Sequence, residues 1–200
     1  MPSPHREPVS RRERNKQDKL ARITAAARDL FLERGIDDVT TQEIAEKADI
    51  GTGTLFLYAK TKGELLLLVQ NSTYGEALAR GRIDAARAKD TLGAVMAVVR
   101  PVVECNRKQV DNGRTYLREI VFGDPEEPHH AVALGLIAET EGEIASILTR
   151  DTAAEPERAA LTAHVVSAIM FVAMAATINV DKSVEDVVAE IEAQVRVLLR

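Results

Sequence analysis

The spacing of apolar residues is the feature that most limits how this chain can fold. Apolar side chains recur every three or four positions along nearly the whole sequence, and no segment alternates apolar with polar residues. The first spacing places side chains on one face of a helix, whereas alternation is typical of a half-buried strand. We therefore predict an all-α protein with about nine helices.

Glycine and proline mark where these helices should end. The first helix runs from about Leu20 to a stop at Gly35, because glycine favours the backbone conformation that ends a helix. Later breaks are predicted at residues 111–113, 123–128, 151–155 and 180–182. They leave helical runs over residues 91–110, 115–122, 129–150, 156–179 and 183–199. Pro101 lies inside one run and predicts a kink, which is either only structural or opens a cavity.

Two capping boxes mark helix starts in the N-terminal third. Thr40 is followed three positions later by Glu43, and Thr61 is followed by Glu64 at the same spacing. In such a box the threonine hydroxyl accepts from the third backbone amide, while the glutamate reaches back to the first. The first box predicts a short helix, and the second predicts a long helix that reaches about Arg80.

The segment between these boxes has the pattern of a helix-turn-helix. Ile44 and Ala45 lie on the inner face of the first short helix, a tight connection follows over residues 49–51, and residues 52–58 form a second short helix. Two short helices joined by a turn that contains a glycine are typical of this motif. The sequence therefore predicts a helix-turn-helix.

Charge is distributed unevenly along the chain. The 200 residues carry a formal net charge of −5, which argues against a protein that coats nucleic acid through bulk positive charge. Residues 1–62, however, hold 12 basic and 10 acidic residues, whereas residues 63–200 hold 14 and 21. A mildly basic front end on an acidic body suggests an anionic partner that binds at one end only.

Cysteine content and apolar runs indicate the compartment. Cys105 is the single cysteine, so neither an internal disulfide nor a metal site of paired cysteines is expected. No apolar stretch follows the N-terminal arginines, and the longest apolar run, residues 168–176, is too short to cross a bilayer. We expect a cytoplasmic protein without a membrane partner, with residues 168–176 in a buried helix.

The sequence lacks the patterns of common enzymes. It has no nucleophile elbow, phosphate-binding glycine loop, HExxH motif or zinc constellation. Glutamates at 139, 141 and 143 are two apart, which points neighbours to different faces of a helix. His129, His130 and His164 do not have metal-ligand spacing and are interpreted as solvated or hydrogen-bonded. We expect no catalysis, no cofactor and no metal.

Residues 23–68 read ITAAARDLFLERGIDDVTTQEIAEKADIGTGTLFLYAKTKGELLLL and resemble the N-terminal DNA-binding domain of the TetR family of bacterial transcriptional regulators. The resemblance covers about a quarter of the chain. The features at the family's spacing are Ala26-Ala27 with Leu30-Phe31, Gly35, Thr40 with Ile44-Ala45, Gly53-Thr54-Leu55, Tyr58, and Lys62 with Leu65.

This resemblance implies a division of the chain into three parts. Residues 16–62 would be the DNA-binding domain, with its motif at 40–59 and a continuation into the long helix, and residues 63–200 a regulatory and dimerisation domain. Residues 1–15, with three prolines and four arginines, would be a flexible basic arm. The arm is either a solvated tail or a supplementary contact to phosphates.

The resemblance also implies roles for individual residues. It places Gln42 and Thr52 at base-reading positions, and Thr41, Thr54, Tyr58 and Lys62 near the DNA backbone. Gly53 is small enough for close approach to DNA, whereas Lys62 has the alternative of a solvated surface charge, and Thr40, Ile44, Ala45 and Leu55 are read as cap and core.

Three positions depart from the family pattern. Gly51 stands where a capping serine is usual, Phe56 where tyrosine is usual, and Ala59 where a bulky phenylalanine is usual. Phe56 cannot donate a hydrogen bond to a phosphate, but it can pack against a thymine methyl group or the sugar backbone.

For the C-terminal part, the resemblance implies a small effector and a two-fold dimer through the last two helices. The small residues at 168–176 permit close helix packing. A stripe on the last helix faces either the partner subunit or the protein's own core. It consists of Val184, Val187, Val188, Ile191, Val195 and Leu198.

Large or polar side chains on the helices that would surround a cavity are candidate effector contacts. They are Tyr74, Met96, Cys105, Tyr116, Arg118, Phe122 and Phe171. Arg118 has the alternative of a solvated pair with Glu119.

The sequence thus predicts a homodimeric transcriptional repressor that binds a palindromic operator in double-stranded DNA and is released by a small-molecule effector of unknown identity. The alternatives are an activator, an architectural DNA-binding protein without an effector, and a helical ligand-binding or interaction module without operator specificity.

Overall fold

A computed structural model describes residues 10–200 of the chain. Within them lie nine α-helices, one short 3-10 helix and no strand, which confirms the predicted all-α fold. The helices are α1 (Arg11–Arg34), α2 (Thr41–Lys47), α3 (Thr52–Leu55), α4 (Lys62–Ala85), α5 (Thr91–Asn106), α6 (Val110–Phe122), α7 (Pro128–Thr152), α8 (Pro156–Ala175) and α9 (Val184–Leu198), with the 3-10 helix at Thr177–Asn179.

Helix α1 begins earlier than the sequence suggested. Ser10 caps it by accepting a hydrogen bond from the Glu13 amide at 3.2 Å, so residues 11–15, assigned above to a flexible arm, are helical. Residues 1–9 of the predicted arm lie outside the described residues. At its other end, α1 stops at Gly35, whose φ of +79° suits glycine far better than any L-residue.

Helix α6 also begins earlier than predicted, and the break expected at residues 111–113 is wrong. The chain turns at residues 107–109 instead, and Gln109 caps α6 by accepting from the Asn112 amide at 2.6 Å. Gly113 packs so closely on α5 that an added Cβ would lie 2.1 Å from the Asn106 carbonyl oxygen. The Asp-Asn-Gly sequence that predicted a turn therefore lies in α6, where its glycine permits close packing on α5.

The N-terminal helices share a small apolar core. Helix α1 packs on α2 and α4, and α2 packs on α3. Ile23 and Phe31 of α1, Ile44 of α2, Leu55 of α3 and Leu65 of α4 are all fully or almost fully buried. Burial of these side chains holds the two short helices, which are too short to be stable alone.

Two polar side chains tie the loop between α1 and α2 to the rest of the protein. Asn112 of α6 donates to the Phe31 carbonyl and accepts from the Ile36 amide, both at 2.7 Å, and is 3% exposed. Lys62, at the start of α4, donates to the carbonyls of Ile36 at 2.8 Å and Asp37 at 3.2 Å. The N-terminal helices are therefore attached to the body by more than the chain connection through α4.

Four of the six residues of the α9 stripe face the interior of the subunit, whereas Val184 is partly exposed and Leu198 is 38% exposed. Val187, Val188, Ile191 and Val195 are buried, and α9 packs on α5 and α8. The interpretation of this stripe as a partner-facing surface is therefore wrong for these four residues, and the core alternative holds. Buried Arg107 fixes the entry to α9, since its guanidinium donates to the carbonyls of residues 179, 180 and 182.

Helix α8 leaves one apolar face uncovered. Leu161, Val165 and Val172 are exposed at spacings of four and seven residues, Val172 by 67%. Among the described residues, α8 is the one helix whose length and composition would suit a membrane span, and only a third of its apolar window is buried. The expectation of a buried helix is therefore correct for its inner face only.

Candidate nucleic-acid interface

Helix α2 starts with the predicted capping box in full. The Thr40 hydroxyl accepts from the Glu43 amide at 3.2 Å, and a Glu43 carboxylate oxygen accepts from the Thr40 amide at 2.8 Å. Arg34 of α1 donates to the other carboxylate oxygen at 2.8 Å. The Arg34 and Thr40 hydrogen bonds lower the pKa of Glu43 to about 2. One carboxylate thus fixes both the start of α2 and its position against α1.

The turn and the second short helix occur in the predicted order, but the second helix is shorter than predicted. Asp49 adopts a φ of +52°, and α3 begins after Gly51 and ends at Leu55, three residues before the predicted end. Gly51 occupies the cap position and supplies no side-chain acceptor to the helix amides. Residues 56–58 continue as a turn, which directs Phe56 outward while Ala59 is buried.

The predicted DNA-contacting residues lie on α2, α3, the turn after α3 and the start of α4. Gln42, Gly53 and Phe56 are exposed, and Phe56 presents 43% of its surface. The other five are partly exposed, namely Thr41, Thr52, Thr54, Tyr58 and Lys62. All eight are therefore accessible to some degree from outside the protein.

Three of these side chains, Gln42, Lys62 and Tyr58, already hold polar partners. Gln42 donates from its amide nitrogen to Glu46, one turn later on α2, at 3.0 Å. The ammonium group of Lys62 uses two of its three donors on the loop carbonyls described above. Lys62 is thus a structural tie, and a phosphate contact would use its remaining donor.

Tyr58 lies beside the basic first turns of α1. Its hydroxyl donates to the Lys16 carbonyl at 3.5 Å, and Tyr58 lines a surface groove together with Ser10, Arg11, Arg12, Glu13, Asn15, Lys16 and Lys19. Four cationic side chains therefore border the same groove as a residue of the helix-turn-helix.

Sequence reasoning missed two exposed residues on this surface. Leu57 is 83% exposed directly after α3, and Glu46 is exposed beside Gln42. Leu57 lies two positions after the buried Leu55, and this spacing places side chains on diverging faces of a helical turn. That spacing could have predicted the exposure of Leu57 from the sequence.

Four of the candidate effector contacts are buried. Tyr74 shares a hydrogen bond of 3.0 Å with Thr140 of α7, and the Tyr116 hydroxyl donates to Asn71 at 2.9 Å. Burial raises the pKa of Tyr74 to about 12 and that of Cys105 to about 11, so both groups are neutral at pH 7. Met96 is also buried.

The remaining three candidates, Arg118, Phe122 and Phe171, lie apart from these four. They line a surface groove between α6 and α8, where Phe122 is 82% exposed and Arg118 lies 4.0 Å from Glu119. The structure therefore does not bring the seven candidates together around one cavity.

A small cavity lies where α1, α4 and α5 meet. It holds about 50 Å³ and is lined by Arg28, Phe31, Leu32, Leu66, Val69, Gln70, Thr73, Cys105, Lys108, Gln109 and Asn112. Ligand pockets for drug-sized molecules usually hold about 300–1,000 Å³. This cavity would admit such a molecule only if the surrounding helices moved.

The three histidines within residues 10–200 have polar partners. The His129 ring donates to the Tyr58 carbonyl at 3.1 Å, the buried His130 ring contacts the Ile120 carbonyl at 2.9 Å, and exposed His164 lies 3.0 Å from Glu141. Within residues 10–200, no three acidic, histidine or cysteine side chains group as metal ligands would.

Comparison with known proteins identifies the N-terminal segment. A sequence model of a family described as "Bacterial regulatory proteins, tetR family" matches residues 23–69. This match confirms the resemblance drawn from residues 23–68. No curated protein sequence matches the chain.

Solved structures with the same fold cover almost the whole chain. A TetR transcriptional regulator from Rhodococcus sp. RHA1 has a TM-score of 0.69 and 16% identity over 92% of this chain and 96% of its own. A TetR/AcrR family regulator from Thermobifida fusca YX-ER1 has a TM-score of 0.65 and 18% identity, over 92% and 97%. A fatty acid degradation regulator from Bacillus halodurans has a TM-score of 0.62 and 16% identity, over 90% of this chain and 95% of its own. At these identities the likeness shows the fold.

Proposed function

From the premise that this chain is a TetR-family regulator by its N-terminal domain and its fold, we propose that it binds a palindromic DNA operator as a homodimer. We further propose that it represses transcription in the cytoplasm and leaves the operator when a small molecule binds the C-terminal body. We infer no enzymatic activity, and no cofactor is needed for this function.

The observation that carries the proposal is the helix-turn-helix itself. Ile44 and Leu55 are completely buried, whereas Gln42, Gly53 and Phe56 on the same segment are exposed. A recognition element needs this division, since buried residues fix its position and exposed ones meet base edges.

The proposed contacts follow from the chemistry of the exposed groups. Gln42 and Thr52 read base edges, and a glutamine amide suits adenine in the major groove. Thr41, Thr54 and Lys62 hold the phosphate backbone, and Tyr58 joins them by moving its hydroxyl from the Lys16 carbonyl to a phosphate. Gly53 permits close approach. Phe56, together with Leu57, supplies apolar contact to thymine methyl groups or sugars.

The first turns of α1 extend this surface. Arg11, Arg12, Lys16 and Lys19 border the groove that Tyr58 lines, so phosphates held by Tyr58 would lie near four cations. Each cation that meets a phosphate releases a counterion and steepens the salt dependence of binding. For residues 11–15 of the predicted arm, this arrangement favours a supplementary contact to phosphates over a solvated tail.

The dimer is proposed to form through the outer faces of the last two helices. On α8 the face comprises Leu161, Val165 and Val172, and on α9 Val197 is 66% exposed. A groove between α8 and α9 adjoins this face. Its α8 side is apolar and includes Ile169, whereas α9 contributes Glu190 and Gln194. Dimerisation places two recognition helices about 34–36 Å apart, as two half-sites on one face of DNA require.

The effector is proposed to act on the interior of the body. Tyr74, Met96, Cys105 and Tyr116 are buried there, and the neighbouring cavity of about 50 Å³ would have to enlarge to admit a drug-sized molecule. An effector that binds only the enlarged body shifts the population away from the conformation that fits the operator.

Selection of bound sequences from random double-stranded DNA by the purified full chain, repeated at several salt concentrations, tests the proposal. We expect enrichment of a palindrome with half-sites one helical turn apart. Salt-sensitive binding without a preferred sequence would leave a general DNA-binding protein, and absence of DNA binding would leave an interaction module.

Two variants test the proposed roles on the selected DNA. Gln42→Ala should relax preference at particular base pairs, by about 1–3 kcal/mol for a lost bidentate contact. Lys62→Ala should weaken binding to all sequences and reduce the salt slope by about one. Equal effects of both variants on every sequence would refute these roles.

A further inference from the structure

A chain of hydrogen bonds connects the interior of the body to the end of the helix-turn-helix. The Tyr116 hydroxyl of α6 donates to the Asn71 side-chain oxygen of α4 at 2.9 Å. The Asn71 amide nitrogen donates to the His129 carbonyl at the start of α7 at 2.8 Å. The His129 ring nitrogen Nε2 lies 3.1 Å from the Tyr58 carbonyl, three residues after α3 ends.

The direction of each hydrogen bond is set by chemistry. A backbone carbonyl can only accept, so the His129 ring must carry its proton on Nε2 to bond Tyr58. Asn71 has one oxygen and one nitrogen, and its oxygen faces a hydroxyl while its nitrogen faces a carbonyl. Each group in the chain therefore has the partner that its donor or acceptor character requires.

Burial makes the loss of these hydrogen bonds costly in free energy. Tyr116 and Asn71 are buried, 1% and 7% exposed, where an unpaired polar group is costly. Helix α3 has only four residues and packs mainly on α2. In residues 52–59, Leu55 and Ala59 are buried, whereas Phe56 and Leu57 of the turn are exposed. A side chain from the body that holds the Tyr58 carbonyl therefore adds a polar restraint to the turn between the two buried residues.

We propose that His129 is a positioning residue for DNA recognition, and that Tyr116, Asn71 and His129 form a relay that fixes residues 52–59 relative to the body. This inference rests on the proposed function for its DNA-binding consequence. It extends that function by naming the contacts through which a change at Tyr116, one of the buried effector candidates, reaches the DNA-reading segment.

Hydrogen exchange of the full chain tests the relay without DNA. His129→Leu removes the donor to Tyr58, so the amides of residues 52–59 should exchange about two- to tenfold faster. Tyr116→Phe removes the first donor and should produce an increase in the same segment. His129→Gln keeps an N–H donor and should restore slow exchange.

His164→Leu is the matched control, because it removes an exposed histidine that pairs with Glu141 on the body's surface. It should leave exchange at residues 52–59 unchanged. Unchanged exchange there in His129→Leu or in Tyr116→Phe would overturn the relay. Equal acceleration throughout the chain would also overturn it, since that result means general destabilisation.

Affinity for the DNA selected by the wild-type protein tests the positioning role. His129→Leu should bind about two- to tenfold more weakly with an unchanged salt slope, since His129 is assigned no phosphate. If the wild type selects no palindrome, the proposed function fails while the exchange result still decides the relay. If it selects one and His129→Leu binds it with wild-type affinity, the positioning role is wrong.

Discussion

Asn112 illustrates how a single residue can have a role that its neighbours in sequence do not indicate. Residues 111–113 carry the Asp-Asn-Gly composition of a turn, yet they lie inside α6. The partners that decide the role of Asn112 are Phe31 and Ile36, which are 81 and 76 positions away. Local propensity cannot register contacts at that distance, so the sequence could not predict this tie.

Asn112→Ala should destabilise the protein by about 2–6 kcal/mol. It leaves the Ile36 amide and the Phe31 carbonyl without their buried partner, and each unsatisfied group costs about 1–3 kcal/mol. Urea unfolding followed by circular dichroism measures the effect. Asn15→Ala, on the exposed first turns of α1, is the control and should stay within about 0.5 kcal/mol of wild type. Equal stabilities for the two variants would contradict the tie.

At the scale of elements, the sequence predicted best where the deciding contacts are local. The Thr40 capping box spans three residues and is present in full, and Gly35 ends α1 as expected. The end of α3 was placed three residues too late, because a four-residue helix provides too few positions for a periodic signal. The family spacing indicated which residues are exposed as candidate DNA contacts. It could not indicate the hydrogen-bond partners of Gln42, Tyr58 and Lys62.

The Glu43 carboxylate should make stability depend on pH below its usual pKa. Its pKa in the folded protein is about 2 instead of 4.5, so the ionised form stabilises the fold above pH 4.5, and this contribution is lost as pH falls toward 2. Glu43→Gln keeps a capping side chain but removes the charge. The stability gap between wild type and Glu43→Gln, from thermal unfolding, should be largest near pH 7 and shrink between pH 4.5 and 2. A gap that stays constant over this range would contradict the prediction.

Gly53→Ala should separate folding from DNA binding within α3. An added Cβ meets nothing within 4 Å, and alanine is the better helix former by up to about 1 kcal/mol, so stability should not fall. Because the methyl group would stand where DNA is proposed to approach, affinity should drop by about 1–3 kcal/mol. Gly135→Ala on α7, equally open, is the matched control and should leave DNA affinity unchanged. Wild-type DNA affinity for Gly53→Ala would remove α3 from the proposed interface.

At the scale of the whole molecule, the hydrophobic pattern predicted which helix faces are apolar, but it did not predict which surface covers each face. The α9 stripe and the α8 apolar run both favoured helix contacts. The structure directs four of the six residues of the α9 stripe into their own subunit and leaves Val165 and Val172 of α8 exposed. Spacing defines a face, but only the arrangement of all nine described helices determines what the face meets.

Val172→Glu should convert the proposed dimer into a folded monomer. The side chain is 67% exposed in one subunit, so the charge would not disturb the core, but it would be buried without a partner in a dimer. Light scattering coupled to size-exclusion chromatography measures the mass. Val121→Glu on α6, where valine is also exposed, is the control and should remain dimeric. A dimeric Val172→Glu would place the interface elsewhere.

Through the proposed dimer, the uncovered face of α8 would make the free energy of unfolding depend on protein concentration as well as on sequence. If pairing covers this face, each tenfold rise in protein concentration adds about 1.4 kcal/mol per mole of dimer to the free energy of unfolding. Dilution then works in the opposite direction and favours separate subunits with Leu161, Val165 and Val172 in water. The number of copies in a cell would therefore set both the occupancy of the proposed operator and the stability of each folded subunit.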